Sequence, residues 1–291
     1  MASRISRVAV VGAGLMGHGI AQVAAQVAGL DVSMLDVKQE FVDRGMSMIR
    51  ESLARFASKE VINAEQVQQT ISRIHSTTNL EEAVKGSQLV IEAATEDPKL
   101  KLDLFRRISE SVPEGTVIAS NTSSISITLL GSVTRNPANV IGMHFFNPPQ
   151  IMPLIEIVRG AKTSDQTVQF IQDVAKSIKK ETVVCKKDSP GFIVNRILVP
   201  ALNEAAFLVH EGVSDPEDID KAIKLGLSWP MGPFHLLDYV GLDTALNITE
   251  VFMQEFQDSK YRPAPLLKQM VRAGLLGRKS GKGFYDWTSK R

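Results

Sequence analysis

His144 and Asn147 stand three residues apart in Ile141-Gly142-Met143-His144-Phe145-Phe146-Asn147-Pro148, at the end of an apolar run. Twelve residues beyond the histidine, Glu156 interrupts a second apolar run, Leu154-Ile155-Glu156-Ile157-Val158. A charge inside such a run costs several kcal/mol unless it is partnered, and His144 is the partner at hand. If the two runs fold back about Gln150, positions 144 and 156 fall opposite each other, with Cβ atoms about 5 Å apart. Pro148, Pro149 and Pro153 suit that reversal and would break a helix. A carboxylate behind an imidazole fixes its tautomer and raises its basicity, which makes a general base. The alternative is a buried His–Glu pair without chemistry. Phe145 and Phe146 alternate across the strand, so at most one faces a ligand and the other belongs to the core.

A base of this kind needs a scaffold, and the first residues supply its start. Val8-Ala9-Val10-Val11 reads as a buried parallel strand, followed at once by Gly12-Ala13-Gly14-Leu15-Met16-Gly17. A helix is expected over Ile20–Ala28 with Gly29 as its C-cap, then a strand Asp31–Leu35 closing on Asp36. A glycine motif alone is weak, but strand, glycine turn, helix, strand and acid in this order form a dinucleotide-binding fingerprint. Gly12 permits the tight turn, Gly14 lets backbone approach a pyrophosphate, and Gly17 lets the helix pack on the strand. The phosphates would sit on the helix N-terminus. Asp36, nineteen residues after Gly17, can accept both ribose hydroxyls and repel a 2′-phosphate, which favours NAD over NADP, although Lys38 lies close by.

Alternating units continue with helices at Phe41–Ser58, Glu65–Ser72 and Lys99–Ser111 and strands at Ile74–Thr77, Leu89–Ala93 and Thr116–Ser120. The last strand opens into Asn121-Thr122-Ser123-Ser124, at the edge where open α/β sheets meet ligands; a helix cap for Ile125–Leu130 is the other use for those serines. Beyond Cys185 and Ser189-Pro190-Gly191 strand patterns vanish. Helices are expected at Ile193–Glu211, Pro216–Leu225, His235–Val240, Thr244–Phe256 and Pro265–Ala273, with Ser214-Asp215-Pro216-Glu217 as a capping box. Asn195 lies among apolar neighbours early in the first of these, where a substrate or an ordinary cap or interdomain bond would satisfy it. The expected fold class is therefore α/β, a Rossmann-type dinucleotide-binding domain over 1–188 with a helical arm near 40–72, then an all-α domain over 189–291.

Bulk properties narrow the functions. The 291 residues, 44% hydrophobic, suffice for two ordinary domains or one large one. With 33 basic and 32 acidic residues the net charge is +1, so no global field invites nucleic acid or an anionic membrane. The single cysteine, Cys185, excludes an internal disulfide and reads as a small buried apolar residue. No run approaches the roughly 20 apolar residues of a membrane span, and a strand follows Arg7 where a signal peptide would carry its apolar region. A soluble cytoplasmic protein is expected. His18, His75, His210 and His235 are scattered without ligand spacing, so no metal site is expected.

Taken together, the glycine motif, Ser120-Asn121-Thr122-Ser123-Ser124, Met143–Pro148, Pro190-Gly191-Phe192-Ile193-Val194-Asn195-Arg196, Gly232-Pro233, Asp238–Asp243 and Lys279-Ser280-Gly281-Lys282-Gly283-Phe284-Tyr285 resemble the L-3-hydroxyacyl-CoA dehydrogenase family over essentially the whole chain. The likeness is to bacterial enzymes acting on 3-hydroxybutyryl-CoA in particular. The resemblance implies NAD-dependent oxidation of (S)-3-hydroxyacyl-CoA to 3-ketoacyl-CoA and the reverse. It implies His144 as base, Glu156 as its orienter, and Ser123 and Asn195 on the substrate oxygens. The cofactor contacts would be Gly12, Gly14, Leu15, Met16, Gly17, Asp36, Glu96, Lys101, Asn147 beside the base, and Lys279. Ser52 and Lys59 on the long helix would hold the CoA moiety. The resemblance also implies a homodimer through the helical domain and, since the chain stops after the tail motif, no fused hydratase. Rival readings are a dehydrogenase of another 3-hydroxy compound, such as a sugar acid, and a catalytically silent NAD-binding protein. The second should have lost part of the Ser123, His144, Glu156, Asn195 set.

Overall fold

A computed structural model describes residues 5–288. The chain divides into two compact units, Met1–Ser189 and Pro190–Arg291.

In the first unit helices and strands alternate in the order β1 (Arg7–Val11), α1 (Gly17–Ala28), β2 (Asp31–Leu35), α2 (Gln39–Ser58), α3 (Ala64–Ser72), β3 (Ile74–Thr77), α4 (Leu80–Val84) and β4 (Leu89–Glu92). They continue with α5 (Pro98–Ser111), β5 (Val117–Ser120), α6 (Ile127–Ser132), β6 (Val140–Phe145), β7 (Leu154–Arg159), α7 (Asp165–Ser177) and β8 (Glu181–Cys185). One eight-stranded sheet has the order β3-β2-β1-β4-β5-β6-β7-β8. Strands β1 to β6 are mutually parallel, whereas β7 pairs antiparallel with β6 and β8 parallel with β7. The order turns back between β1 and β4, which opens a crevice at the strands' C-terminal ends. This is a Rossmann-type sheet covered by helices. Val10, Met34, Ile91, Ala119, Ile141 and Ile157 lie in one buried cluster with Ile20 and Ile49 from the helices. Each fully buried aliphatic side chain contributes about 1.5–3 kcal/mol. Gly142 sits where a Cβ would come 2.7 Å from that of Val158, so only glycine lets β6 and β7 pair there.

The second unit is helical: α8 (Val194–His210), α9 (Pro216–Gly226), α10 (Pro233–Val240), α11 (Leu242–Phe256) and α12 (Pro265–Arg272). These pack about Leu202, Ala206, Phe234, Leu237, Leu242 and Leu267. Its tail is latched to α10, because Asp238 accepts from the Phe284 and Tyr285 amides and from Trp287 Nε1. No helix among the described residues is long and apolar enough to cross a membrane.

Two expectations about caps are corrected. The helix expected from Ile125 begins at Ile127 and is capped by Ser126, whose hydroxyl accepts from the Leu129 amide at 3.1 Å. Ser123 and Ser124 therefore lie in the preceding turn and cap nothing. The Ser214–Glu217 capping box does not form, since Asp215 is the N-cap of α9 and makes no side-chain cap bond. Pro216 takes the first helical position, which shifts the frame by one residue and puts Asp218, not Glu217, third in the helix.

Candidate active site

Pairing of β6 with β7 sets His144 directly opposite Glu156. His144 Nδ1 lies 2.8 Å from Glu156 Oε2, with the carboxylate wholly enclosed. A carboxylate only accepts, so Nδ1 carries the hydrogen, and Nε2 is the nitrogen through which the ring can exchange a proton with a ligand. Phe146 packs its ring 4.8 Å from the imidazole, while Phe145 points into the core. Of the two phenylalanines, the second is thus the one beside the histidine.

The turn after β6 leans on α1. Gln150 Nε2 donates to Gln22 Oε1 at 3.1 Å, and a Cβ on Gly19 would come within 2.9 Å of Pro149 and of Gln150. Asn121 Oδ1 accepts the Phe145 amide at 2.8 Å, which ties the end of β6 to the loop after β5. Asn147 is exposed in the turn.

At the other side of the crevice the glycine turn has the shape a dinucleotide needs. A Cβ on Gly17 would stand 1.7 Å from the Gly12 carbonyl oxygen, so the turn closes only on glycine. A Cβ on Gly14 would meet nothing within 4 Å, which leaves room over the backbone there for a phosphate. No side chain caps α1 at Met16, and Leu15 is exposed, so no side chain competes with an anion at this helix start, where the His18 amide alone is turned to the Gly14 carbonyl at 3.2 Å. Asp36 Oδ2 accepts the Ala13 amide at 2.8 Å, which brings the acid to the turn from the end of β2. These residues fit NAD. His18, in the first turn of α1, hydrogen-bonds the Gly14 carbonyl at 2.9 Å. Burial holds its pKa below the ordinary histidine value, assisted by the Arg55 charge and opposed by the Gly14 bond.

Between the two sides lies a polar cluster. Glu96 Oε1 accepts from Thr122 Oγ1, the Ser123 amide and Ser124 Oγ. Burial pushes the Glu96 carboxyl up, but the Lys101 ammonium and the bonds from Thr122 and Ser123 outweigh it and hold it below the usual range. Lys101 is 1% exposed, with Nζ 2.5 Å from Glu92 Oε1 and 3.3 Å from Glu96 Oε2. Its ammonium is thus enclosed by the chain's own acids. Glu92 did not figure in the sequence analysis, yet the signal was there: an acid closing the apolar run Leu89-Val90-Ile91, the same anomaly that singled out Glu156.

Ser52 is buried on the inner side of α2 with Ile49 and Leu53, whereas Lys59 is exposed at that helix's C-cap. In the helical unit Asn195 is half-buried in the first turn of α8, and Lys279 is held by Asp243 at 2.6 Å.

Two family models cover nearly all of the chain: the 3-hydroxyacyl-CoA dehydrogenase NAD binding domain over residues 7–189 and the C-terminal domain of the same family over residues 191–287. The chain belongs to the 3-hydroxyacyl-CoA dehydrogenase family. Within that family it is 50% identical over 279 residues to a probable 3-hydroxybutyryl-CoA dehydrogenase of Deinococcus radiodurans, spanning 96% of this chain and 99% of that one. It is 42% identical over 289 residues to the mitochondrial hydroxyacyl-coenzyme A dehydrogenase of Sus scrofa, spanning 97% and 91%. The crystal structure of (S)-3-hydroxybutyryl-CoA dehydrogenase from Ralstonia eutropha superposes with a TM-score of 0.93 at 46% identity, covering 99% of this chain and 100% of that one. Membership brings an NAD-binding domain, in agreement with the glycine turn and Asp36.

Proposed function

We propose that this chain oxidises (S)-3-hydroxyacyl-CoA to 3-ketoacyl-CoA with NAD and catalyses the reverse reduction, with a short-chain substrate of the 3-hydroxybutyryl type. The observation that carries the reading is the enclosed His144–Glu156 pair, set at the same sheet edge as the glycine turn. His144 Nε2 takes the proton of the substrate's 3-hydroxyl and returns it in the reduction. Glu156 holds the ring through Nδ1 and stabilises the imidazolium that forms. Ser123, from the turn after β5, and Asn195, from α8, hydrogen-bond the substrate oxygens. Bound NAD supplies the hydride acceptor. Its binding residues are Gly12, Gly14, Leu15, Met16, Gly17, Asp36, Glu96, Asn147 and Lys279, with Lys101 acting behind Glu96. Lys59, exposed at the end of α2, binds the phosphate-rich CoA moiety, with Ser52 on the same helix.

The acting form is a cytoplasmic homodimer joined through the helical unit. Support comes from large apolar side chains left in solvent there: Ile197 is 70% exposed, Leu225 75% and Leu227 61%. Initial rates with acetoacetyl-CoA, longer 3-ketoacyl-CoA and free acetoacetate, each with NADH and NADPH, test the assignment. The expected result is the highest kcat/KM for acetoacetyl-CoA with NADH, and Asp36→Ala narrows the gap between cofactors. A preference for NADPH or for the free keto acid would overturn it.

A further inference from the structure

Glu92 ends β4 at the point where the strand order turns back, paired in register with Val11 on one side and Ser120 on the other. It is fully enclosed. Its Oε1 accepts from Lys101 Nζ and from the Ala94 amide, and its Oε2 accepts from Ser120 Oγ at 2.6 Å. Lys101 also donates to the Ala94 carbonyl at 3.2 Å. Through Lys101 the connection runs on to Glu96, and from Glu96 to Thr122, Ser123 and Ser124. One chain of charge-assisted bonds thus joins the loop after β4, which borders the crevice, to the neighbouring loop after β5.

A scaffold has no need of this arrangement. Two acids sharing one lysine leave a net negative charge, and a well-packed neutral group of the same volume is often as stable or more so. The lysine also divides unequally, close to Glu92 and farther from Glu96. That division leaves Glu96 Oε1 turned to the Ser123 amide. Without the Glu92 charge, Lys101 would be a buried ammonium with Glu96 as its one acid, and the pull would draw Glu96 away from the serine turn. We propose that Glu92 is a positioning residue, which anchors Lys101 so that Glu96 holds the Thr122–Ser124 turn in place for cofactor and substrate. This deepens the dehydrogenase reading above and rests on it for the substrate half only.

The test compares Glu92→Gln, Lys101→Met and the isosteric neutral pair Glu92→Gln/Lys101→Met. Melting temperature, the NADH dissociation constant from fluorescence, and kcat and KM for acetoacetyl-CoA are measured on each. In Glu92→Gln both the NADH dissociation constant and the acetoacetyl-CoA KM rise about tenfold, the worth of one charge-assisted hydrogen bond. In the neutral pair the melting temperature recovers but neither constant does, because the pull on Glu96 is gone but so is the ammonium that holds it against the turn. Recovery of all three in the double variant would make the pair a scaffold element and overturn the proposal. So would a folded Glu92→Gln protein whose two constants stay within about twofold of wild type. Should Glu92→Gln not fold, the neutral pair carries the same comparison on its own. The NADH constant needs no turnover, so a wild-type chain inactive on acyl-CoA would refute the substrate assignment and leave this test standing.

Discussion

Replacing Glu156 with glutamine keeps the side chain's shape and an oxygen for His144 Nδ1 but removes the charge. The bond lost is charge-assisted, 2.8 Å long and shut away from water. Such bonds contribute about 1.5–3 kcal/mol, against about 0.5–1.5 for the neutral version. If the difference from no bond were lost in full where the ring becomes cationic, kcat would fall about 10- to 150-fold at 1.36 kcal/mol per decade. The retained amide bond pulls the expectation toward the lower end. His144→Gln removes the proton acceptor itself and lowers kcat by about 10²–10⁴. Glu156 acts only through the imidazole, so the double variant falls no further than His144→Gln alone. The assay is the initial rate of NADH oxidation at saturating acetoacetyl-CoA, with NADH binding and melting temperature recorded for every variant. Losses that multiply in the double variant, in proteins that still bind NADH, would show that the two residues act independently and would end the dyad account.

Lys59→Ala raises the acyl-CoA KM several-fold and leaves the NADH KM nearly unchanged; an unmoved acyl-CoA KM would place the CoA site elsewhere. His18 gives a pH signature in stability. Its pKa is lowered by folding, so the unfolded chain binds the extra proton, and the stability is whole above the ordinary value of 6.5 and lost as pH falls through it. The drop in melting temperature between about pH 7.5 and 5.5 should therefore shrink in His18→Gln, and an undiminished drop would refute the assignment. The Glu96 carboxyl, held below its usual range, loses its contribution only under stronger acid, so the two effects separate on the pH axis.

The elements that alternate regularly were legible because both faces of a central strand are apolar and its borders carry glycine, proline or a cap. The His144–Glu156 register was legible for a sharper reason: one acid in an apolar run had one plausible partner at a distance a turn could span. Glu92 obeys the same logic but its partner, Lys101, comes from a helix rather than a strand, so no pairing arithmetic points to it. The caps failed where neighbouring residues compete. Ser123, Ser124 and Ser126 are all fit to cap α6, and Ser126 won because Asp188 also holds its hydroxyl and the Thr128 amide. That bond joins residues 62 apart in the chain, beyond anything local sequence encodes.

The seat of the β6–β7 turn on α1 has a consequence for how this scaffold can change. The helix whose first turn receives the dinucleotide is also the surface against which Pro149 and Gln150 rest. Under the proposed function, the sites for hydride and proton transfer are therefore referenced to one datum within a single unit. A shift of the helix carries the base along with it, and the alignment between the two transfers survives. Residues that grip the rest of the substrate can then be exchanged without re-aligning the chemistry, so specificity and reactivity are separable parts. The weak point in that scheme is Gly19, where a single added methyl group would wedge the two apart.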